Sequence, residues 1–248
     1  MTRLVLADLY ARRISENLQT VIDAERDSVR RAAALISERR RRDGIVHVFG
    51  AGHSQLVAAD AAYRAASPAW VNGVLDPSVS VVRGAIAATA AEGISDNALP
   101  IVLQERLSAN DVSVVVCNSG TTPVSVAFAE ACAERGMPVI AIVSKPSMTH
   151  FGRLDRPSIE SVSDVVIDNH CPVGDALIQE TLDSVPTAIG PSSTIVNAFL
   201  LHWLLVHVLE ELANNGEEVQ TFRSGHLEGA SKYNEALMEA YRGRVRIY

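Results

Sequence analysis

The sequence predicts an α/β fold, a three-layer sandwich around a mainly parallel five-stranded sheet of the flavodoxin or Rossmann-like kind. Five short segments rich in valine and isoleucine follow Gly44, and helical patterns separate most of them. Continuous apolar runs are typical of strands buried on both faces of a parallel sheet, and their alternation with helices predicts β-α-β units. Five readable strands rather than eight favour an open sheet over a barrel. The segments are IVHVFG at 45–50, AWVNGV at 69–74, VSVVVCN at 112–118, PVIAIVS at 138–144 and DVVIDN at 164–169.

The segments at the two ends of the chain are predicted to be largely helical. Apolar residues recur every three or four positions from Thr2 to Arg42, which predicts one long helix in the segment 1–43. Its wide apolar stripe needs a partner, so we expect this segment to serve oligomerisation. The central domain, 44–215, closes with a strongly apolar helix at 193–214, whereas the tail, 216–248, is polar and carries a short helix near 233–241. We expect the tail to contribute to the site or to an interface.

Composition narrows the classes of function. The 248 residues carry 22 Lys and Arg against 29 Asp and Glu, a formal charge of −7, and 48% of them are hydrophobic. This balance excludes a disordered chain and argues against nucleic-acid binding. The three cysteines form no CxxC pair, the N-terminus lacks a signal-peptide pattern, and the apolar stretch from Ile195 to Leu209 is too short for a membrane span. We therefore expect a cytoplasmic protein whose partner is a small molecule, with no nucleic acid and no membrane.

Two loops that directly follow predicted strands carry residues suited to a ligand. Ligands of open parallel sheets bind outside the carboxyl ends of the strands, where glycines allow close backbone approach and helix-start amides favour anions. Helix capping is the alternative explanation for the hydroxyls of either loop taken alone. The residues expected to bind the ligand are Gly52 and Ser54 in the first loop, and Asn118, Ser119, Gly120, Thr121 and Thr122 in the second.

A third group of hydroxyls precedes the terminal apolar helix, where Ser192 and Ser193 either cap the helix or bind the ligand. Three such clusters suit a phosphosugar, which has a phosphate at one end and hydroxyls along its length. The first loop also begins a GxGxxG dinucleotide pattern, with Asp76 downstream, but Gln55 occupies the third glycine position and disfavours a nicotinamide cofactor. The P-loop motif of nucleoside triphosphate enzymes is absent from the sequence.

The sequences FGAGHS, CNSGTTPVSVAFA and the helix led by GPSST together resemble the SIS (sugar isomerase) domain, a phosphosugar-binding α/β sandwich, over nearly the whole chain. FGAGHSQLVAADAAYRA, DNHCPVGDA and YNEALMEAYRGRV resemble the UPF0309 group in particular. The chain is also similar to phosphoheptose isomerases and to N-acetylmuramic acid 6-phosphate etherases. The resemblance implies that Ser54 and the loop 119–122 hold the sugar phosphate. It further implies a homodimer or homotetramer with sites near a subunit boundary.

Four residues are candidates for the acid and the base. Glu92 resembles an acidic position of the etherases and is the first candidate for the base, with a solvated carboxylate at a helix end as the alternative. Asp60 falls where the heptose isomerases carry a glutamate, and His202 resembles one of their acid/base histidines. His53 lies in the ligand-facing loop, which makes it the candidate for opening the sugar ring.

The sequence favours one of the enzymatic activities found in the related proteins over the other. Tyr63 falls near the position of a second etherase glutamate, so isomerisation is favoured over ether elimination. The segment around His226 resembles the related group and is predicted to contact the ligand as a flap. The function predicted is therefore sugar-phosphate binding with aldose–ketose isomerisation, the alternatives being an etherase-like lyase and a non-catalytic phosphosugar sensor. No metal is expected, because histidines at metal-ligand spacing are absent from the sequence. No cofactor is expected either.

Overall fold

A computed structural model of the chain describes residues 6–152, 157–182 and 185–248 and confirms the α/β class. The strands are β1 (Val46–Gly50), β2 (Val71–Val74), β3 (Val112–Val116), β4 (Val139–Val143), β5 (Val165–Asp168), β6 (Ala176–Leu182) and β7 (Val185–Pro191). The first five form one parallel sheet in the order β2-β1-β3-β4-β5. Each of these five strands lies within one of the predicted apolar segments and is buried because helices cover both faces of the sheet.

The α-helices are α1 (Leu6–Ala24), α2 (Arg26–Arg40), α3 (Ser54–Ala61), α4 (Ala85–Glu92), α5 (Ala98–Gln104), α6 (Pro123–Ala133), α7 (Lys145–Phe151), α8 (Ser193–Asn214) and α9 (Ala230–Ala240). The prediction of one long N-terminal helix was wrong, because the chain breaks into α1 and α2 at Glu25. The carboxylate of Glu25 is buried and lies 3.2 Å from Nε2 of His170, in the loop after β5. The break thus occurs where the helical segment packs against the end of the sheet.

The sequence analysis does not predict α7 or the hairpin of β6 and β7. The segment after β4 has no helical pattern, but Ser144 caps α7 by accepting a hydrogen bond from the backbone N–H of Ser147 at 3.1 Å. The strands β6 and β7 form an antiparallel hairpin separate from the main sheet. Pro186 and Pro191 lie in β7, and prolines argue against a strand when only the sequence is read.

The hairpin is held by α1. The hydroxyl of Tyr10 donates to the carbonyl of Pro191 at 2.8 Å, and the guanidinium of Arg13 donates to the carbonyl of Leu177. Gly190 has a positive φ of 81°, and a Cβ there would lie 2.4 Å from the Tyr10 ring. The glycine therefore allows α1 to approach the hairpin this closely.

Helix α8 is long and apolar enough, by length and composition alone, to cross a membrane. In the fold it packs against α2 and α3 as the central helix of one face of the sheet. Such packing is typical of the core helix of a globular domain, which needs the same composition. Its buried side chains are Val196, Asn197, Leu200, Leu201, Leu204, Leu205, Val208 and Leu212.

The tail packs at the end of the sheet where the parallel strands begin, opposite to the end where the loops after the strands lie. Arg244 donates to the fully buried carboxylate of Asp111 at 2.8 Å, and Arg246 contacts the buried Glu105 at 3.2 Å. Asp111 also accepts hydrogen bonds from the backbone N–H groups of Ile45 and Ser108, both at 2.9 Å. One carboxylate thus joins the tail to the loops that precede β1 and β3.

Replacing this carboxylate should destabilise the protein strongly. In Asp111→Ala, the Arg244 guanidinium and two backbone donors lose their acceptor, and breaking a buried pair in this way costs about 3–5 kcal/mol. The measurement is the free energy of unfolding by denaturant titration. Glu239→Ala serves as the control because its pair with Arg242 is exposed, with side chains 67% and 63% accessible, so we expect little change there.

The same comparison has an expected pH dependence. Burial alone would raise the pKa of Asp111, but hydrogen bonds from His47 and from the Ile45 N–H, with the charge of Arg244, hold that pKa below its ordinary value. The stabilisation is therefore complete above the unfolded-state pKa of about 3.9 and is lost as the pH falls through the lower folded-state pKa. The difference in stability between wild type and Asp111→Ala should shrink in that acidic range. A difference that grows there would contradict this assignment.

Candidate functional site

A cavity of about 330 Å³ lies at the carboxyl ends of β1 and β3. The register of the two strands places Gly50 beside Val116, so the loops that leave these strands are neighbours. This is the edge at which ligands of open parallel sheets bind. The residues that line the cavity are Ala51, Gly52, His53, Ser54, Glu92, Val116, Cys117, Asn118, Ser119, Thr122, Ser125, Ser147, Phe151, Gly174, Asp175 and Ser193.

The first loop brings a glycine and a carboxylate into contact. Gly52 has a φ of 60°, and a Cβ at this position would lie 2.9 Å from Oε2 of Glu92. Only glycine therefore adopts this turn easily and also leaves room for the carboxylate at the end of α4. Ser54 begins α3 immediately afterwards, as predicted.

The second loop is a turn of hydroxyl groups in front of α6. Oγ of Ser119 lies 3.1 Å from Oγ1 of Thr122 and accepts a hydrogen bond from the backbone N–H of Thr121 at 3.3 Å. Gly120 has a φ of 66°, and Pro123 occupies the first turn of the helix. Pro123 has no N–H, and the N–H groups of Ser125 and Val126 donate to the carbonyl of Thr122, so the donors available to an anion here belong to the loop itself, with the hydroxyls of Ser119 and Thr122 among them.

The walls of the cavity contain polar residues that sequence reasoning missed, Ser147 and Asp175 among them. Ser147 is 2% exposed, and its hydroxyl has no hydrogen-bond partner among the described residues. Buried polar atoms are almost always paired, so a bare hydroxyl in a cavity wall points to a bound ligand or water. Asp175, with a φ of 63°, accepts hydrogen bonds from the backbone and hydroxyl groups of Ser192 and Ser193, at 2.7–3.0 Å. No local motif marks either residue in the sequence.

Glu92 is the carboxylate best placed for proton transfer. It is half-buried, and this burial raises the pKa of its carboxyl group, while the nearby His53 acts in the opposite direction. A carboxyl with a raised pKa beside an imidazole, in a cavity, is a common arrangement for acid–base chemistry. Glu92 is therefore partly buried and faces the cavity, as required of the predicted base.

The structure brings eight of the predicted site residues to the cavity: Gly52, His53, Ser54, Glu92, Asn118, Ser119, Thr122 and Ser193. Asp60 and His202 are not among them. Their side chains meet at 2.7 Å across α3 and α8, both partly exposed. Six residues separate Ser54 from Asp60, which at 1.5 Å per residue moves Asp60 about 9 Å down the helix, away from the strand ends. Within one chain these two residues do not reach the cavity.

The remaining predicted residues lie outside the cavity for different reasons. Gly120 shapes the second loop without lining the cavity, and Thr121 faces a separate cavity beside α6 that includes Gly93 and Glu130. Ser192 is buried and bonded to Asp175. His226 is exposed in the tail, whose contacts with residues 66–69 and 105–111 lie at the far end of the sheet. Within one chain the tail therefore does not cover the cavity.

Metal chemistry has no evident ligand set in the part of the chain that the structure describes. No group of three or more His, Cys, Asp or Glu side chains is arranged to hold an ion among those residues. The cavity instead offers hydroxyls, amides, one imidazole and two carboxylates.

Comparison with known proteins agrees with the fold. Residues 9–144 match the model of the SIS domain, and on this match the chain belongs to the SIS-domain family. It is similar along its length to proteins named UPF0309. A relative from Geobacillus kaustophilus is 34% identical over 244 residues, which cover 96% of this chain and 95% of the relative. The resemblance predicted from the loop sequences is thus confirmed.

Solved structures show the same architecture. A phosphoheptose isomerase from Neisseria gonorrhoeae aligns with a TM-score of 0.53 at 19% identity and covers 82% of this chain and 96% of its own. One from Francisella tularensis aligns with a TM-score of 0.52 at 17% identity, covering 85% and 100%. At these identities the likeness concerns the fold.

Because Ser119 and Thr121 line different cavities, they offer a matched pair of variants. Ser119→Ala removes a hydroxyl from the cavity and should weaken binding of inorganic phosphate about ten- to a hundredfold, since one hydrogen bond to a charged group contributes about 1.5–3 kcal/mol. Thr121→Ala removes a hydroxyl two residues away that faces the other cavity, and should leave binding unchanged. Isothermal titration calorimetry measures both. Equal losses in the two variants would show that the loop, rather than the Ser119 hydroxyl, is what binding requires.

Proposed function

We propose that the chain binds a sugar phosphate in this cavity and interconverts its aldose and ketose forms. The observation that carries the proposal is the presence of Glu92, with its raised pKa, in the same cavity as the hydroxyl loop before α6. The cavity thus combines donors that suit a phosphate with a carboxylate that can act as a base. A volume of about 330 Å³ lies within the usual range for a small ligand.

The phosphate is assigned to the loop that contains Ser119 and Thr122. Its hydroxyls are neutral donors, and together with the dipole of α6 they favour an anion. Ser54, at the start of α3, lines the same cavity from the neighbouring strand. This arrangement suits a chain of net charge −7, because the donors act locally and need no basic surface.

Once the sugar ring is open, the reaction requires the movement of two protons within one substrate. To open the ring, His53 donates a proton to the ring oxygen as the bond between C1 and that oxygen breaks, and the proton of the anomeric hydroxyl returns to the imidazole, which exposes the carbonyl at C1. Glu92 then removes the proton from C2, the electrons form a C1–C2 double bond, and the enediolate oxygen is held by hydrogen-bond donors of the cavity. Transfer of the hydroxyl proton from O2 to O1, and return of a proton to C1, completes the ketose without any co-reactant.

Replacement of the base separates chemistry from binding. Glu92→Gln should reduce the rate of exchange of the C2 proton by about 10²–10⁴-fold. The exchange is measured by NMR in deuterated water with a panel of aldose and ketose phosphates that includes heptose phosphates. Binding of the same phosphates should change little, because Glu92 is not assigned to the phosphate. Glu130→Gln, beside the other cavity, is the control and should exchange at the wild-type rate.

Three results would contradict the proposal in different ways. Exchange that survives in Glu92→Gln would remove Glu92 as the base. Wild-type binding without exchange of any phosphate in the panel would indicate a phosphosugar sensor. Release of a C3 ether substituent, without isomerisation, would indicate an etherase-like lyase.

The pH profile gives an independent check. Glu92 must be deprotonated to act as the base, so exchange should rise with pH as the carboxyl loses its proton. Because burial raises the pKa of Glu92, the midpoint of this rise should lie above the ordinary glutamate value of about 4.3. A midpoint at or below that value would argue against the assignment.

A further inference from the structure

A buried asparagine behind the cavity controls the orientation of a side chain in its wall. Asn169 follows β5 and is fully buried, and its backbone N–H donates to the carbonyl of Val143 at 2.8 Å. Its Oδ1 accepts a hydrogen bond from the backbone N–H of Cys171 at 2.9 Å. A backbone N–H only donates, so the amide oxygen of Asn169 must face it and the NH₂ group must face the other way.

The two hydrogens of that NH₂ group have two acceptors. Nδ2 of Asn169 donates to Oδ1 of Asn118 at 2.8 Å and to Oδ1 of Asn197, on α8, at 2.7 Å. Every polar atom of the Asn169 amide is therefore paired. Asn118 must turn its oxygen toward the interior, and its own NH₂ group is left to point the other way.

The amide of Asn118 thus presents donors to the ligand. Asn118 is half-buried and lines the cavity, and its Nδ2 has no hydrogen-bond partner in the described ranges 6–152, 157–182 and 185–248. The unpaired hydroxyl of Ser147 lines the same cavity. Both groups are able to donate a hydrogen bond to a ligand.

We propose that Asn169 is a positioning residue that fixes the amide of Asn118 as a donor to an acceptor oxygen of the ligand. The inference rests on the proposed function, since it takes that ligand to be a sugar phosphate. The acceptor belongs either to the phosphate group or to the carbonyl of the open sugar. The shared chemistry is an oxygen that accepts from a neutral N–H donor and lies beside Asn118.

Two isosteric substitutions test the orientation. Asn169→Asp keeps the acceptor for Cys171 but loses the donor, so Asn118 turns its NH₂ group inward and its oxygen toward the ligand. Asn197→Asp introduces the same buried charge next to Asn169 but keeps the acceptor that Asn169 needs. We expect Asn169→Asp to weaken binding about ten- to a hundredfold and Asn197→Asp to retain it. The probes are inorganic phosphate and fructose 6-phosphate, with thermal unfolding of the unliganded variants as a check of folding.

A double-mutant cycle with Asn118→Ala tests whether Asn169 acts through Asn118. Once the Asn118 amide is absent, Asn169→Asp should cause no further loss of binding. A loss confined to fructose 6-phosphate would assign the acceptor to the sugar, and a loss for both probes would assign it to the phosphate; either supports the proposal. Equal losses in Asn169→Asp and Asn197→Asp, or additive losses in the cycle, would overturn it.

The outcome for the wild type separates this inference from the proposed function. A wild-type chain that binds neither probe would overturn both. A wild type that binds, beside an Asn169→Asp variant that binds equally well, would overturn the positioning role and leave the proposed function intact.

Discussion

The pairing of β1 with β3 is the contact on which the cavity depends. These strands are neighbours in space although α3 and β2 lie between them in the chain, and their parallel register ends with Gly50 beside Val116. A parallel ladder places the carboxyl ends of its strands at one edge. The two loops therefore face each other without any direct bond between them. A shift of this register by one residue would also exchange the side chains that the shifted strand presents to the two buried faces of the sheet.

The five-stranded sheet and the two loops were predictable because their signals are local. A strand buried on both faces must be apolar along its length, and valine-rich runs of this kind occur at each of β1 to β5. Gly52 and Ser119 follow such runs directly, so topology rules carry them to the ligand edge. The resemblance to the SIS domain confirmed the fold and pointed to Glu92, which no spacing rule would have placed beside Gly52.

The residues that were missed depend on contacts distant in sequence. Ser147 lies in the cavity because α7 begins directly after β4, and that segment lacks the length and periodicity of a recognisable helix. Asp175 faces the start of α8 only because a hairpin folds between them. Asn169 is hydrogen-bonded to α1, to β4, to α8 and to the loop after β3. Such contacts with several partners leave no periodicity and no motif in the sequence. Asp60 and His202 were predicted from positions in related families, but they pair with each other across α3 and α8, outside the cavity.

The hairpin of β6 and β7 gives the cavity a mechanical connection to the N-terminal helix. The strands leave the wall at Asp175 and return to it at Ser192, and the bonds between these two residues close the base of the loop. Tyr10 and Arg13 of α1 hold the two strands near this same base, at Pro191 and Leu177. A rotation of α1 would therefore be transmitted through these bonds to Asp175 and the first turn of α8. A molecule that binds and immobilises α1 would also immobilise one wall of the cavity without itself contacting that wall.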